Sequence, residues 1–140
     1  MRPTYENEES LSNEAEVAAR LELLWNREMY KLPRSMHMDY SVTSDKNVNA
    51  FLEIKCRTNH INDYPQYFIS LSKVIAAKNL FDATGLHTML VVRSRDNSLH
   101  GIQLDTASFD LKIAGRTDRN DKDDIEPCCF FNVTDFKRYE

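Results

Sequence analysis

Glycine is scarce in this chain, with Gly85, Gly101 and Gly115 the only three among 140 residues. No Gly-rich phosphate loop and no Gly-x-Ser-x-Gly elbow can be built from them, which excludes nucleotide hydrolysis by those routes and any nucleotide cofactor held that way. Cysteine is equally sparse: Cys56, Cys128 and Cys129 cannot all pair, and a bridge between two adjacent cysteines is strained, so reduced thiols are expected. His37, His60, His87 and His100 show no ligand spacing, and nothing points to a tetrahedral zinc site. Long apolar runs are missing as well. The stretches at 88–92 and 50–52 fall far short of the roughly 20 residues that span a bilayer. The first residues, Met-Arg-Pro-Thr-Tyr-Glu-Asn-Glu-Glu, lack the basic and then apolar run of a secretory signal. The expectation is a cytoplasmic protein without a membrane span.

What is present fits one folded domain over residues 1–140. The mass is 16.3 kDa, and the chain is 41% hydrophobic and 29% charged, the usual globular balance. The formal charge of −4 does not by itself draw the chain to nucleic acid, but it is unevenly spread. Residues 1–28 carry seven acids against Arg2, Arg20 and Arg27, a sum of −4. Residues 53–95 carry Lys55, Arg57, Lys73, Lys78, Arg93 and Arg95 against Glu53, Asp63 and Asp82, a sum of +3.

Periodicity divides the chain into elements. Residues 1–11 read as an acidic arm, and residues 12–28 as an amphipathic helix with Val17, Ala18, Leu21, Leu24 and Trp25 inward and Ser10 or Ser12 as the cap. Glu14 falls on that apolar stripe while Glu16 points away. It is either a first-turn acid favoured by the helix dipole or an acid with a task. Residues 37–43 alternate as a strand, with Met36, Met38, Tyr40 and Val42 on one face and Asp39 on the other. A turn at 44–47 leads into a second strand over 48–57, expected to pair antiparallel with the first. There Ala50, Leu52, Ile54 and Cys56 share one face and Phe51, Glu53, Lys55 and Arg57 the other.

A helix is expected over 64–81, with Pro65 in its first turn, Gly85 as its break, and Phe68, Leu71, Ser72, Ile75 and Ala76 inward. Strands at 88–93 and 99–104 form a second hairpin. Residues 106–127 read as a polar, mobile loop and 128–133 as a closing edge strand. The connection from 50 to 92 is long enough for a right-handed parallel crossover. The fold class is therefore α/β, with a mixed sheet flanked by helices in the order α-β-β-α-β-β plus an edge strand.

Asp39 and Glu53 then lie on neighbouring strands and face the same side as Lys55. Paired carboxylates with a backbone carbonyl make a hard oxygen site suited to Mg²⁺ or Mn²⁺, and a nearby lysine can orient water. Asp39, thirteen further residues and Glu53-Ile54-Lys55, within Ala-Phe-Leu-Glu-Ile-Lys-Cys-Arg, resemble the PD-(D/E)XK nuclease superfamily over about residues 14–92. The segment Glu126-Pro-Cys-Cys-Phe-Phe-Asn-Val-Thr-Asp-Phe looks like the closing strand of its Holliday-junction-resolvase-like members. Met38 stands where the family name has proline, and Ser70 follows Gln66 where a RecB-like exonuclease has tyrosine.

The resemblance implies a restriction-endonuclease-like core in which Asp39, Glu53 and the Ile54 carbonyl bind Mg²⁺, with Mn²⁺ able to substitute. It implies that Lys55 positions water and that Glu14 aids a second ion. It further implies a DNA endonuclease leaving a 5′-phosphate and a 3′-hydroxyl, and action as a homodimer. Arg57, Lys73, Arg93 and Arg95 are candidates for contacts to DNA phosphates, Lys73 being a candidate for the site itself as well. Tyr64 and Tyr67 are nearby stacking or packing groups, and Trp25 is read as core. The rival is a nuclease-fold protein that binds nucleic acid, or serves structurally, without cutting.

Overall fold

The computed structural model describes residues 8–115 and 125–140. Two sheets share one core: a six-stranded mixed sheet in the order β1-β2-β3-β5-β6-β9, and a three-stranded sheet in the order β4-β8-β7. The strands are β1 (Glu28–Lys31), β2 (Tyr40–Ser44), β3 (Asn47–Cys56), β4 (Gln66–Ser70), β5 (Thr88–Arg93), β6 (Leu99–Gln103), β7 (Asp110–Gly115), β8 (Ile125–Asn132) and β9 (Lys137–Arg138). Helices α1 (Glu8–Trp25) and α2 (Leu71–Thr84) complete the fold. Among the described residues no helix is long and apolar enough to cross a membrane. The mixed sheet with flanking helices matches the restriction-endonuclease-like class expected above.

The β2–β3 hairpin is antiparallel and turns on Asp45 and Lys46, whose φ angles of 51° and 68° are the two positive values a tight primed turn requires. Strand β3 pairs parallel with β5, Glu53 facing Leu90 and Lys55 facing Val92, and β5 returns antiparallel through β6. Leu90, Val91 and Val92 are fully buried, as expected where both faces of a strand are covered. Alternation along β3 divides the core. Leu52 and Ile54 pack with Val17, Ala18 and Leu21 of α1 on one face. Phe51 packs on the other, with Val74 and Ala77 of α2 and with Tyr67, Ile69, Cys129 and Phe131 of the small sheet.

Several sequence expectations are corrected. Helix α1 begins at Glu8, so Ser10 and Ser12 lie inside it and neither is its cap, and it ends at Trp25. Strand β1, unforeseen, then pairs antiparallel with β2. Strand β2 starts at Tyr40, not 37: His37 takes a left-handed conformation with φ 63°, and this bend sends Met38 to the α2 core while Tyr40 and Val42 join the α1 core. Residues 66–70 form a strand, because the run Tyr67-Phe68-Ile69 is β-forming and pairs with β8.

Helix α2 starts only after Ser70, whose hydroxyl accepts from the Ser72 N–H. Its buried residues are Val74 and Ala77, whereas Ile75 is 47% exposed and Phe68 lies outside the helix. Gly85 ends it in the left-handed conformation, φ 74°, with its N–H donating to the Phe81 carbonyl. In the expected polar loop, Asp110–Gly115 is strand β7, and 116–124 lie outside the described residues. Strand β8 is the centre of the small sheet, not an edge. Of the expected acidic arm, residues 8–11 are helical and 1–7 lie outside the described residues. The three cysteines are free thiols.

Strand β9 closes the large sheet against β6, and the Tyr139 ring meets Trp25 edge-on at 5.4 Å. A Cβ at Gly101 would collide with the Tyr139 ring. Gly101→Ala is therefore expected to cost about 1–3 kcal/mol, the usual range for overpacking. A melting temperature equal to that of the parent protein would contradict this packing.

Candidate active site

Asp39 is fixed by its backbone before its side chain is considered. Its N–H donates to the Leu52 carbonyl at 3.0 Å and its carbonyl accepts from Leu32 at 2.9 Å, so it continues both neighbouring ladders just ahead of β2. Asp39 lies immediately ahead of the Tyr40–Leu52 pair, beside the stretch of β3 that carries Glu53. The Asp39 carboxylate accepts from the Ile54 N–H at 2.7 Å. A chain-end contact of this kind locks the carboxylate to the strand that carries Glu53.

Glu53 projects from the centre of β3 into the α2 side of the molecule and is 2% exposed. Two lysines meet it: Lys55, two residues along the same face, at 3.5 Å, and Lys73 of α2 at 3.3 Å. Lys73 also donates to the His37 carbonyl at 2.7 Å, which ties α2 to the left-handed bend that precedes Asp39. Burial raises the Glu53 carboxyl above its ordinary range; Lys55 pulls it down, Asp39 pushes it further up, and Lys73 lowers it.

Glu14 comes from α1, on the other face of β3 from Glu53. Its carboxylate lies 3.3 Å from the Lys31 ammonium, which in turn lies 3.6 Å from Asp39. Lys31 also stands over the Tyr40 ring at 5.2 Å. Lys31 was not singled out from sequence because β1 is only four residues long and shows no clear alternation. Glu14 and Asp39 thus share Lys31, while Glu53 is held between Lys55 and Lys73.

The proposed phosphate-binding cations separate. Lys73 lies against Glu53. Arg57 continues the Glu53–Lys55 face and stands 5.3 Å from the Tyr67 ring. Arg93 pairs in register with Cys56 and so belongs to the α1 face. Arg95 sits in the turn after β5, its backbone N–H donating to the Asn59 carbonyl.

These residues sit within a match that covers almost the whole chain. Residues 1–139 fit the family model described as "Phage putative PDDEXK endonuclease". The chain belongs to that family. No curated protein matches it. The family match and the mixed α/β architecture agree with the PD-(D/E)XK likeness read from Asp39, Glu53 and Lys55, and both point to a nuclease-type protein.

The donor chemistry suits a hard divalent cation, since the groups that converge are carboxylates. The Asp39 and Glu53 oxygens that do not bond the backbone face ammonium groups at 3.3–3.6 Å, positions that an ion could take. Among the described residues no three His, Cys, Asp or Glu side chains are grouped to hold a metal. A cation here would rely on the Asp39–Glu53 pair with backbone or water oxygens.

A raised carboxyl pKa means that the folded state holds the Glu53 proton more tightly than the unfolded chain. The penalty for burying its charge is then absent below the ordinary glutamate pKa, and stability is lost as pH rises from there through the raised value. Without divalent metal, Glu53→Gln is expected to melt higher than the parent at neutral pH, with the gap closing toward pH 4. A gap independent of pH, by thermal denaturation in EDTA, would show that Glu53 is not desolvated.

Proposed function

We propose that this chain is a Mg²⁺-dependent deoxyribonuclease that cuts phosphodiester bonds within DNA, with Asp39 and Glu53 as the metal-binding carboxylates. The observation that carries the reading is the Asp39 carboxylate bonded to the Ile54 N–H, next to Glu53, with Lys55 3.5 Å from Glu53, in a chain of a PDDEXK endonuclease family. When bound, the ion would polarise a phosphoryl oxygen and lower the pKa of its water.

The protein's own contribution is positional and electrostatic. The Ile54 N–H keeps the Asp39 carboxylate in one rotamer, so little reorganisation is needed at the site. The walls around Glu53 strengthen every charge interaction it makes. Lys55 is partly open to solvent and is the ammonium available to orient a water or meet the scissile phosphate. Lys73, held by the His37 carbonyl, keeps Glu53 in place. Glu14, Asp39 and Glu53 balance Lys31, Lys55 and Lys73, so the ionised site sums to zero charge. A divalent cation would make it positive and so strengthen its hold on an anionic phosphodiester.

The Ile54 carbonyl as a further ligand, Glu14 as helper of a second ion, Mn²⁺ as a substitute and a homodimer as the acting unit rest on the family likeness. So does a branched, Holliday-junction-like substrate.

Cleavage of supercoiled plasmid and of a labelled four-way junction, in Mg²⁺, Mn²⁺ or EDTA, tests the reading. Asp39→Asn is preferred to alanine because the amide oxygen can still accept from Ile54. Asp39→Asn, Glu53→Gln and Lys55→Ala are each expected to lower cleavage at least about a hundredfold, the scale of losing a positioned acid–base or electrostatic group. EDTA should abolish it. Cleavage that persists in all three folded variants would sink the site, and intact DNA throughout would favour a binding protein that keeps the nuclease fold.

A further inference from the structure

Beyond Lys55 the same face of β3 leads to a cavity of about 130 Å³, with Arg57, Asn59, Tyr64, Gln66, Tyr67 and Phe68 in its wall. Strand spacing puts Arg57 ~7 Å from Lys55 along the chain. Tyr64 is 66% exposed and Phe68 39% exposed, an unusual pair of aromatics to leave in water at the mouth of one cavity.

Their exposure is not that of a slack loop. The turn Ile61–Asp63 is closed by a reciprocal cap, in which the His60 ring accepts from the Asn62 N–H and the Asp63 carboxylate accepts from the His60 N–H. The buried Ile61 N–H donates to the Ser94 hydroxyl at 2.9 Å. Tyr64 follows in extended backbone, and the Pro65 carbonyl next to it accepts from Val133. Phe68 is stacked on Phe130 at 4.9 Å.

One further feature suits an anionic, aromatic ligand. Arg57 has no carboxylate partner among the described residues, and its guanidinium lies over the Tyr67 ring.

We propose that this cavity receives one unpaired nucleobase of the DNA strand at the site, stacked on Tyr64 and Phe68, with Arg57 on the adjoining phosphate. The size admits a single planar heterocycle, and a base offers its face to such a wall only when it is out of a duplex stack. The inference rests on the nuclease reading for its substrate and narrows that substrate to DNA with unpaired nucleotides beside the cut.

The test reads binding without cleavage. In EDTA, a short duplex carrying one unpaired 2-aminopurine is compared with its fully paired counterpart by fluorescence anisotropy. The expected result is about tenfold tighter binding of the first, in keeping with base–aromatic stacking, and quenching of the 2-aminopurine. Tyr64→Ala should remove the preference, and Tyr64→Phe should keep it because the stacking face remains. Equal affinity of the parent protein for both DNAs, or a preference unchanged in both Tyr64→Ala and Phe68→Ala, would overturn the proposal. A preference that persists when the plasmid assay shows no metal-dependent cutting supports the base pocket and removes hydrolysis alone; cutting without the preference removes the pocket alone.

Discussion

Glu53 stands between two buried strands, where an ionised carboxyl is tolerated only with cations against it. That requirement reaches outward through the structure. Lys55 meets it from the same strand, as alternation allows, and Lys73 meets it from α2. Because Lys73 also holds the His37 carbonyl, the bend before Asp39 depends on the position of α2. Asp39 in turn bonds the strand that carries Glu53. One desolvated charge therefore couples the crossover helix, the entry to β2 and the centre of the sheet.

Where one local rule acts alone, the sequence was legible. Alternation assigns the faces of β3 correctly because ten residues in one strand leave little room for error, and the run at 88–93 is apolar because both its faces are covered. Asp39, Glu53 and Lys55 could be singled out for the same reason. The failures fall where long-range pairing overrides local pattern. Residues 64–70 have helical spacing of apolar groups, yet their partner is β8, about sixty residues away, which no window of sequence contains. Strand β7 carries its own alternation in Leu111 and Ile113, but it is short, adjoins the polar run at 116–124, and its partner is β8. Met38 fits the alternation on paper and leaves it in space, because His37 adopts a left-handed turn that its neighbours do not announce.

Lys31 shows the same limit at the site. Four residues of β1 give no periodic signal, yet their pairing with β2 brings an ammonium between Glu14 and Asp39. Acids repel one another across a short distance, and a lysine between them offsets that repulsion. Such an arrangement is stable as it stands but remains exchangeable, since long ammonium side chains lose little by swinging back to water. The contacts that Lys31 makes with Glu14 and Asp39 are therefore ones that a ligand can displace.

The face of β3 that carries Glu53, Lys55 and Arg57 also sets how exposure changes along the molecule. Glu53 is walled in by α2 and the small sheet, Lys55 is partly open, and Arg57 reaches a cavity whose rim is aromatic. A two-residue repeat thus turns one strand into a short track from a buried acid to two half-buried cations, in steps of ~7 Å. The small sheet supplies both ends of that gradient. Its inner residues, Tyr67 and Ile69, close the core near Glu53, while the alternate residue Phe68 must point outward and stack on Phe130. The exposed aromatic surface is accordingly a consequence of the strand that buries the acid, so a change that shifts the register of β4 would disturb the carboxylate and the aromatic rim together.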